Sequence, residues 1–145
     1  MNRSMIFAVE DTSSDIDEKE STQIQKDVND LLNKRANLWN KLFSEEAKLE
    51  EISEELKGIV ADPLLTYDIE AFSEIKENHT SMEKILKVEV LTIKNIKVED
   101  SEIDMDVEVE WLMEGFEKNY KEKVLYSMKL LKNEDGLKIS DYSVK

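Results

Sequence analysis

Glu102, Asp104, Asp106, Glu108 and Glu110 alternate with Ile103, Met105, Val107 and Val109, which sets five carboxylates in one row. Carboxylate oxygens suit hard cations such as calcium or magnesium. Same-face neighbours on a strand are about 6.6 Å apart, however, and no glycine-turn loop follows that would wrap an ion. The row therefore reads as a solvated sheet face. Its acids would meet Lys121, Lys123 and Lys129 on one neighbouring strand and Lys87, Lys94 or Lys97 on the other, each pair contributing roughly 0.2–1 kcal/mol. His79, the single histidine, is the one side chain with the unperturbed acidity of a general base near neutrality. It stands alone in a polar stretch and reads as a surface loop residue. There is no cysteine, so thiolate nucleophiles, disulfides and zinc–thiolate sites are excluded. No phosphate-binding glycine loop, zinc-ligand spacing or nucleophile elbow occurs. The residues call for no metal and no cofactor.

The elements that would position any site divide the chain in two. Residues 10–20 hold six acids and one lysine, the composition of a flexible, solvated lead-in, so the expected organisation is a flexible acidic segment over 1–20 and one domain over 21–145. Met5, Ile6, Phe7, Ala8 and Val9 follow Arg3 but fall short of a signal-peptide core. From Thr22, Ile24, Val28, Leu31, Leu32, Leu38, Trp39, Leu42 and Phe43 recur at spacings of three and four, with Arg35 and Ala36 in the middle turn. That is the apolar stripe of an amphipathic helix, about 33 Å long at 1.5 Å per residue. A second helix is expected from Ser44, Glu45 and Glu46, with Leu49, Ile52, Leu56 and Ile59 or Val60 inward, ending at Asp62 before Pro63. A short third helix is expected to start with Asp68 as its cap and to bury Ile69, Phe72 and Ile75.

From Lys84 the period changes from 3.6 to 2. Leu86, Val88 and Val90 share one face, Leu91 and Ile93 slip to the other, and Ile96 and Val98 slip back, the signature of β-bulges. Residues 101–113 form an apolar-in, acidic-out strand. Gly115 to Asn119 form a turn. A strand then carries Tyr120, Val124, Tyr126, Met128 and Leu130 on one face and Lys121, Lys123 and Lys129 on the other. Asp135 and Gly136 mark a hairpin turn before a last strand. The 13-residue strand would reach about 43 Å. Strands this long twist, and with bulges they curl. The fold class is thus α+β: N-terminal helices on the concave face of a curved antiparallel sheet of three to four long strands, cone-like.

This order of helices and long bent strands, ending in a charged strand such as Leu137, Lys138, Ile139, Ser140, Asp141 and Tyr142, resembles the nuclear-transport-factor-two-like (cystatin-like) superfamily over about residues 22–145. Many of its members are small bacterial domains of unknown role. The resemblance implies a cone-shaped pocket and frequent dimerisation through the open sheet face. Trp39, Tyr67, Asp68, Trp111 and Tyr126 are the candidates to line such a pocket, since ketosteroid-isomerase-like members use an acid and tyrosines there. None of those catalytic motifs matches residue by residue here, and aromatics on apolar faces are ordinarily core.

Charge narrows the function classes. The chain has 34 acidic and 20 basic residues, a net −14, and each half carries an equal share. Such a surface repels phosphate backbones and anionic headgroups, which argues against nucleic acid as a partner, and no apolar run reaches a membrane span. The expected role is a non-enzymatic domain that binds a small apolar ligand or peptide, or assembles as a homodimer through the sheet face. The alternatives are a small isomerase- or cyclase-like enzyme working with an acid and tyrosines in the cone, and an accessory domain outside the cytoplasm.

Overall fold

The computed structural model describes residues 16–78 and 84–145; residues 5–9 and His79 lie outside them. Three helices, α1 (Glu18–Lys41), α2 (Leu49–Leu56) and α3 (Leu64–Glu77), precede four strands, β1 (Ile85–Glu99), β2 (Glu102–Met113), β3 (Tyr120–Asn133) and β4 (Gly136–Val144). The strands form one antiparallel meander in the order β1-β2-β3-β4. The helices pack on its inner face, α1 mainly against β1. Among the described residues no helix is long and apolar enough to cross a membrane.

The helix boundaries differ from the periodicity reading, and in each case a specific bond explains it. α1 starts at Glu18, within the stretch read as a lead-in, because Asp17 caps it: its carboxylate accepts the Glu20 amide at 2.8 Å. Ile16, just before the cap, packs on the core. α2 starts at Leu49 and ends at Leu56, well before Pro63. Beyond it the chain turns to pair with β4, where the Ile139 amide donates to the Ile59 carbonyl (3.1 Å) and the Ala61 amide to the Ile139 carbonyl (2.9 Å). α3 begins at Leu64 rather than at Asp68. Pro63 holds the cap position, and Asp62 just before it accepts the Thr66 amide (3.0 Å) and hydroxyl (2.7 Å) of the first turn. Asp68 is thereby free to face inward from the second turn.

The expected bulges are present in β1, between Ile85 and Lys87, Val90 and Thr92, and Lys94 and Lys97. Their effect is opposite to a change of face. Each extra residue restores the inward phase, so that Ile93 pairs with Val107 and Val98 with Ile103, both facing the helices. The first bulge turns Ile85 toward the core and leaves Leu86 exposed. At the third, Asn95 takes a positive φ of 55°, a conformation that asparagine tolerates better than most residues. The β3–β4 turn is made by Glu134 and Asp135, and Gly136 supplies the φ of +110° that closes it.

β1 is an edge strand, and α1 covers it with amide side chains. Asn40 both donates to the Ile85 carbonyl (2.7 Å) and accepts its amide (2.8 Å). Asn33 donates to the Val88 carbonyl, Asn29 accepts the Val90 amide, and Gln25 reaches the Val90 and Leu91 carbonyls. An uncovered edge would be a template for another strand. Replacing Asn29 and Asn40 by alanine is expected to cost about 1 kcal/mol per lost backbone partner and to speed aggregation on heating. Hydrogen exchange checks this: protection at the Ile85 and Val90 amides should fall, and unchanged protection would show the amides to be incidental.

The outer face carries the acidic row. Register sets Asp104 between Lys97 and Lys129, Asp106 beside Lys94, and Glu110 beside Lys123. Asp106 is buried beneath neighbours and held by Lys145 (2.6 Å) and Asn95 (2.6 Å). The Lys145 bond, then that from Asn95, lowers its pKa below the ordinary carboxylate value, against the opposing effect of burial. A lowered folded-state pKa stabilises the fold above the unfolded value of about 3.9 and loses that contribution as pH falls through the folded value. Asp106→Asn is therefore expected to lose about 1 kcal/mol, discounted because Lys145 is half exposed. That deficit should hold from pH 8 to pH 6, begin to shrink near the unfolded value of about pH 4, and vanish only once the pH is below the lowered folded-state value. Thermal unfolding of both proteins across that range is the check.

Candidate functional site

The cone interior is built around a charge that sits on an apolar stripe. Leu31, Leu32, Ala36 and Leu38 of α1 are buried, and Arg35 lies among them, its side chain only 16% exposed. A guanidinium there needs a partner. Asp68 provides it from α3, four residues before the buried Phe72 on the same helical face. The pair is bidentate: Nε to Oδ2 and Nη2 to Oδ1, both 2.7 Å, with the Asp68 side chain 5% exposed. The third contact is Nη1 donating to the Tyr142 hydroxyl at 2.8 Å, and the guanidinium carbon lies 5.1 Å from the Tyr142 ring centre. Burial works against the Arg35 charge, but the Asp68 bond and the Tyr142 and Asp68 electrostatics outweigh it and raise its pKa above the ordinary value. Arg35 is charged at every accessible pH.

Aromatic rings fill the remaining space. Tyr126 and Tyr142 meet edge to face, centroids 5.0 Å apart. The Trp111 indole N–H donates to the Tyr126 hydroxyl at 3.0 Å. Burial, partly offset by the Trp111 bond, raises the Tyr126 pKa above the ordinary tyrosine value. On the helix side Trp39 packs edge to face on Phe72 (5.5 Å) and Phe43 (6.4 Å). Among the described residues the space between these rings and the helices is a notch of about 30 Å³ lined by Leu32, Arg35, Ala36, Trp39, Phe72, Ile85 and Trp111. That is room for one water and no more. A wider cleft of about 630 Å³, walled by Lys34, Lys41, Glu55 and Ile59, lies outside the cone between α1 and the turn after α2.

Of the five residues expected to line a pocket, the structure brings together four. Trp39 and Trp111 wall the notch, Trp111 bonds Tyr126, and Asp68 joins them through Arg35. Tyr67 does not join them. It precedes Asp68 by one residue, a step of 100° around the helix, and it points to solvent at 68% exposure. Arg35 and Tyr142 are the two members that the sequence reading did not single out. Arg35 had a signal, a charge within an apolar stripe. Tyr142 had a weak one, because the bulge between Lys129 and Leu130 shifts the alternation along β4. Among the described residues no three histidine, aspartate or glutamate side chains are grouped to hold a metal.

Chemically, the arrangement neutralises its own acid. Both Asp68 oxygens are engaged by Arg35, which leaves that carboxylate poorly placed to take a proton from a bound molecule.

No protein-family model matches the chain, and no curated protein matches it by sequence. Solved structures share its fold. The intermembrane space region of the chloroplast protein ARC6 superposes with a TM-score of 0.53 at 13% identity, over 83% of this chain and 95% of that one. A structure from Catenulispora acidiphila superposes with a TM-score of 0.56 at 14% identity, over 88% of this chain and 94% of that one. A designed chain of the nuclear-transport-factor-two type covers 89% of this chain at 14% identity, with a TM-score of 0.47. The first two carry the conclusion that this chain shares its fold, helices on a curved antiparallel sheet, with solved structures.

Proposed function

We propose that this chain is a non-enzymatic assembly domain, a rigid scaffold that works by contact with a protein chain and not by enclosing a small molecule. The observation that carries this reading is the closed cone. Arg35, Asp68 and Tyr142 cross-link its interior, Trp111 and Tyr126 brace the sheet side, and about 30 Å³ remains. Ligand pockets ordinarily measure 300–1,000 Å³. The isomerase-like alternative requires an accessible carboxylate, and here the candidate acid is held on both oxygens by arginine.

The chain's two tryptophans both wall the notch and report any occupant. A screen of apolar and carboxylate compounds by thermal shift and tryptophan emission is expected to leave both signals unchanged. A compound that raises the melting temperature and shifts the emission, with both effects lost in Arg35→Met, overturns the assembly reading in favour of a ligand-binding cone.

A further inference from the structure

The loop between β2 and β3 holds Phe116 entirely in solvent, at 104% relative exposure. Gly115 makes that loop tight, since a Cβ there would collide with the Lys118 carbonyl. Ile85 pairs with Met113 and Met113 with Tyr120, so the exposed Leu86 and Tyr120 lie at the same end of the sheet as Phe116. Ile85 and Trp111 also wall the notch. A projecting aromatic ring thus stands at the same end of the sheet, here termed the mouth, as the exposed Leu86 and Tyr120 and the Trp111 that walls the notch.

Charge at the strand ends favours self-contact here. Residues 84–89 and 110–123, the strand ends here, carry five lysines and five glutamates and sum to zero in a chain of net −14. Segments that sum to zero meet in two copies without the repulsion that a net −14 imposes on the surface as a whole. At the mouth, Glu117 beside Lys118 and Lys121 beside Glu122 let a two-fold axis set lysines of one copy against glutamates of the other. The outer sheet face differs: Lys97, Asp104, Lys129 and Asp141 already alternate across its four strands, and covering them would desolvate charges matched within one chain.

We propose, resting on the assembly reading, that the partner is a second copy of this chain. The two pair mouth to mouth, the Phe116 ring of each lying over the rim formed by Leu86, Trp111 and Tyr120 of the other. Light scattering and sedimentation from about 1 to about 500 μM then show a concentration-dependent dimer. Phe116→Ser keeps the wild-type melting temperature of the dilute monomer, because among the described residues nothing packs on that ring. It weakens the dimer at least about 30-fold, as loss of a central aromatic anchor does. Lys118→Glu with Lys121→Glu weakens it at low salt and recovers part of the loss at high salt. Lys129→Glu on the outer face leaves the dimer intact. A monomer throughout the range, a dimer indifferent to Phe116→Ser, or a dimer broken by Lys129→Glu overturns mouth pairing. None of these touches the ligand screen, so the assembly reading stands or falls separately.

Discussion

Arg35→Met is expected to lower the melting temperature by roughly 10–20 °C. The substitution keeps most of the side-chain volume and removes the charge, leaving the Asp68 carboxylate buried with neither of its two 2.7 Å bonds. Breaking one side of a buried ion pair costs about 3–5 kcal/mol, and for a domain of this size each kcal/mol is worth about 3–5 °C. Asp68→Leu should cost less, because the Arg35 side chain is the more exposed of the two and keeps its bond to Tyr142. The double variant should recover most of the loss, since a well-packed apolar pair replaces an ion pair at little net cost. A double-mutant cycle by denaturant unfolding is the check. Additive single losses would show that the two residues do not act as a unit.

Trp111→Ala is expected to cost about 3 kcal/mol, the low end for removing a large aromatic side chain, because the ring is only partly buried. It also takes the indole donor from the Tyr126 hydroxyl. The more informative effect is the space created. Joined to the notch of about 30 Å³, the vacated indole volume becomes a cavity of ligand size. Added indole should therefore stabilise Trp111→Ala by about 1.4 kcal/mol at ten times its dissociation constant and leave the wild-type protein unaffected. Equal stabilisation of both proteins would mean that the native cone already admits such molecules. This pair of results separates a cone emptied for a ligand from one filled by its own chain.

Both predictions turn on residues that differ in how readable they were. The amphipathic stripe of α1 and the two-residue alternation of β2 and β3 each repeat a local period over many residues. Side-chain direction follows the backbone within one element, so the fold class and the inward faces could be read without knowing any neighbour. The bulges in β1 left visible phase slips as well. Their consequence was not readable: whether an extra residue changes the face or restores it depends on the partner strand, and Val107 and Ile103 decide that Ile93 and Val98 face inward.

The interior network shows the same division. That Asp68 lies four residues before Phe72 was plain in the sequence, yet aspartate near a helix start also reads as a cap. The helix instead starts one turn earlier, after Pro63, where Asp62 holds Thr66, and Asp68 turns inward to Arg35. The amide stripe Gln25, Asn29 and Asn33, continued by Asn40, spaced along α1, had no meaning until β1 lay beside it. Local periodicity and turn chemistry were enough to read a helical first half, an extended second half and the apolar faces of α1, β2 and β3, but not the helix ends or the face of β1. Only the tertiary structure decided that the cone is closed, since the pairing of Arg35 with Asp68 and Tyr142 joins positions 33 and 107 residues apart. No local pattern encodes a contact between side chains that the chain must fold to bring together.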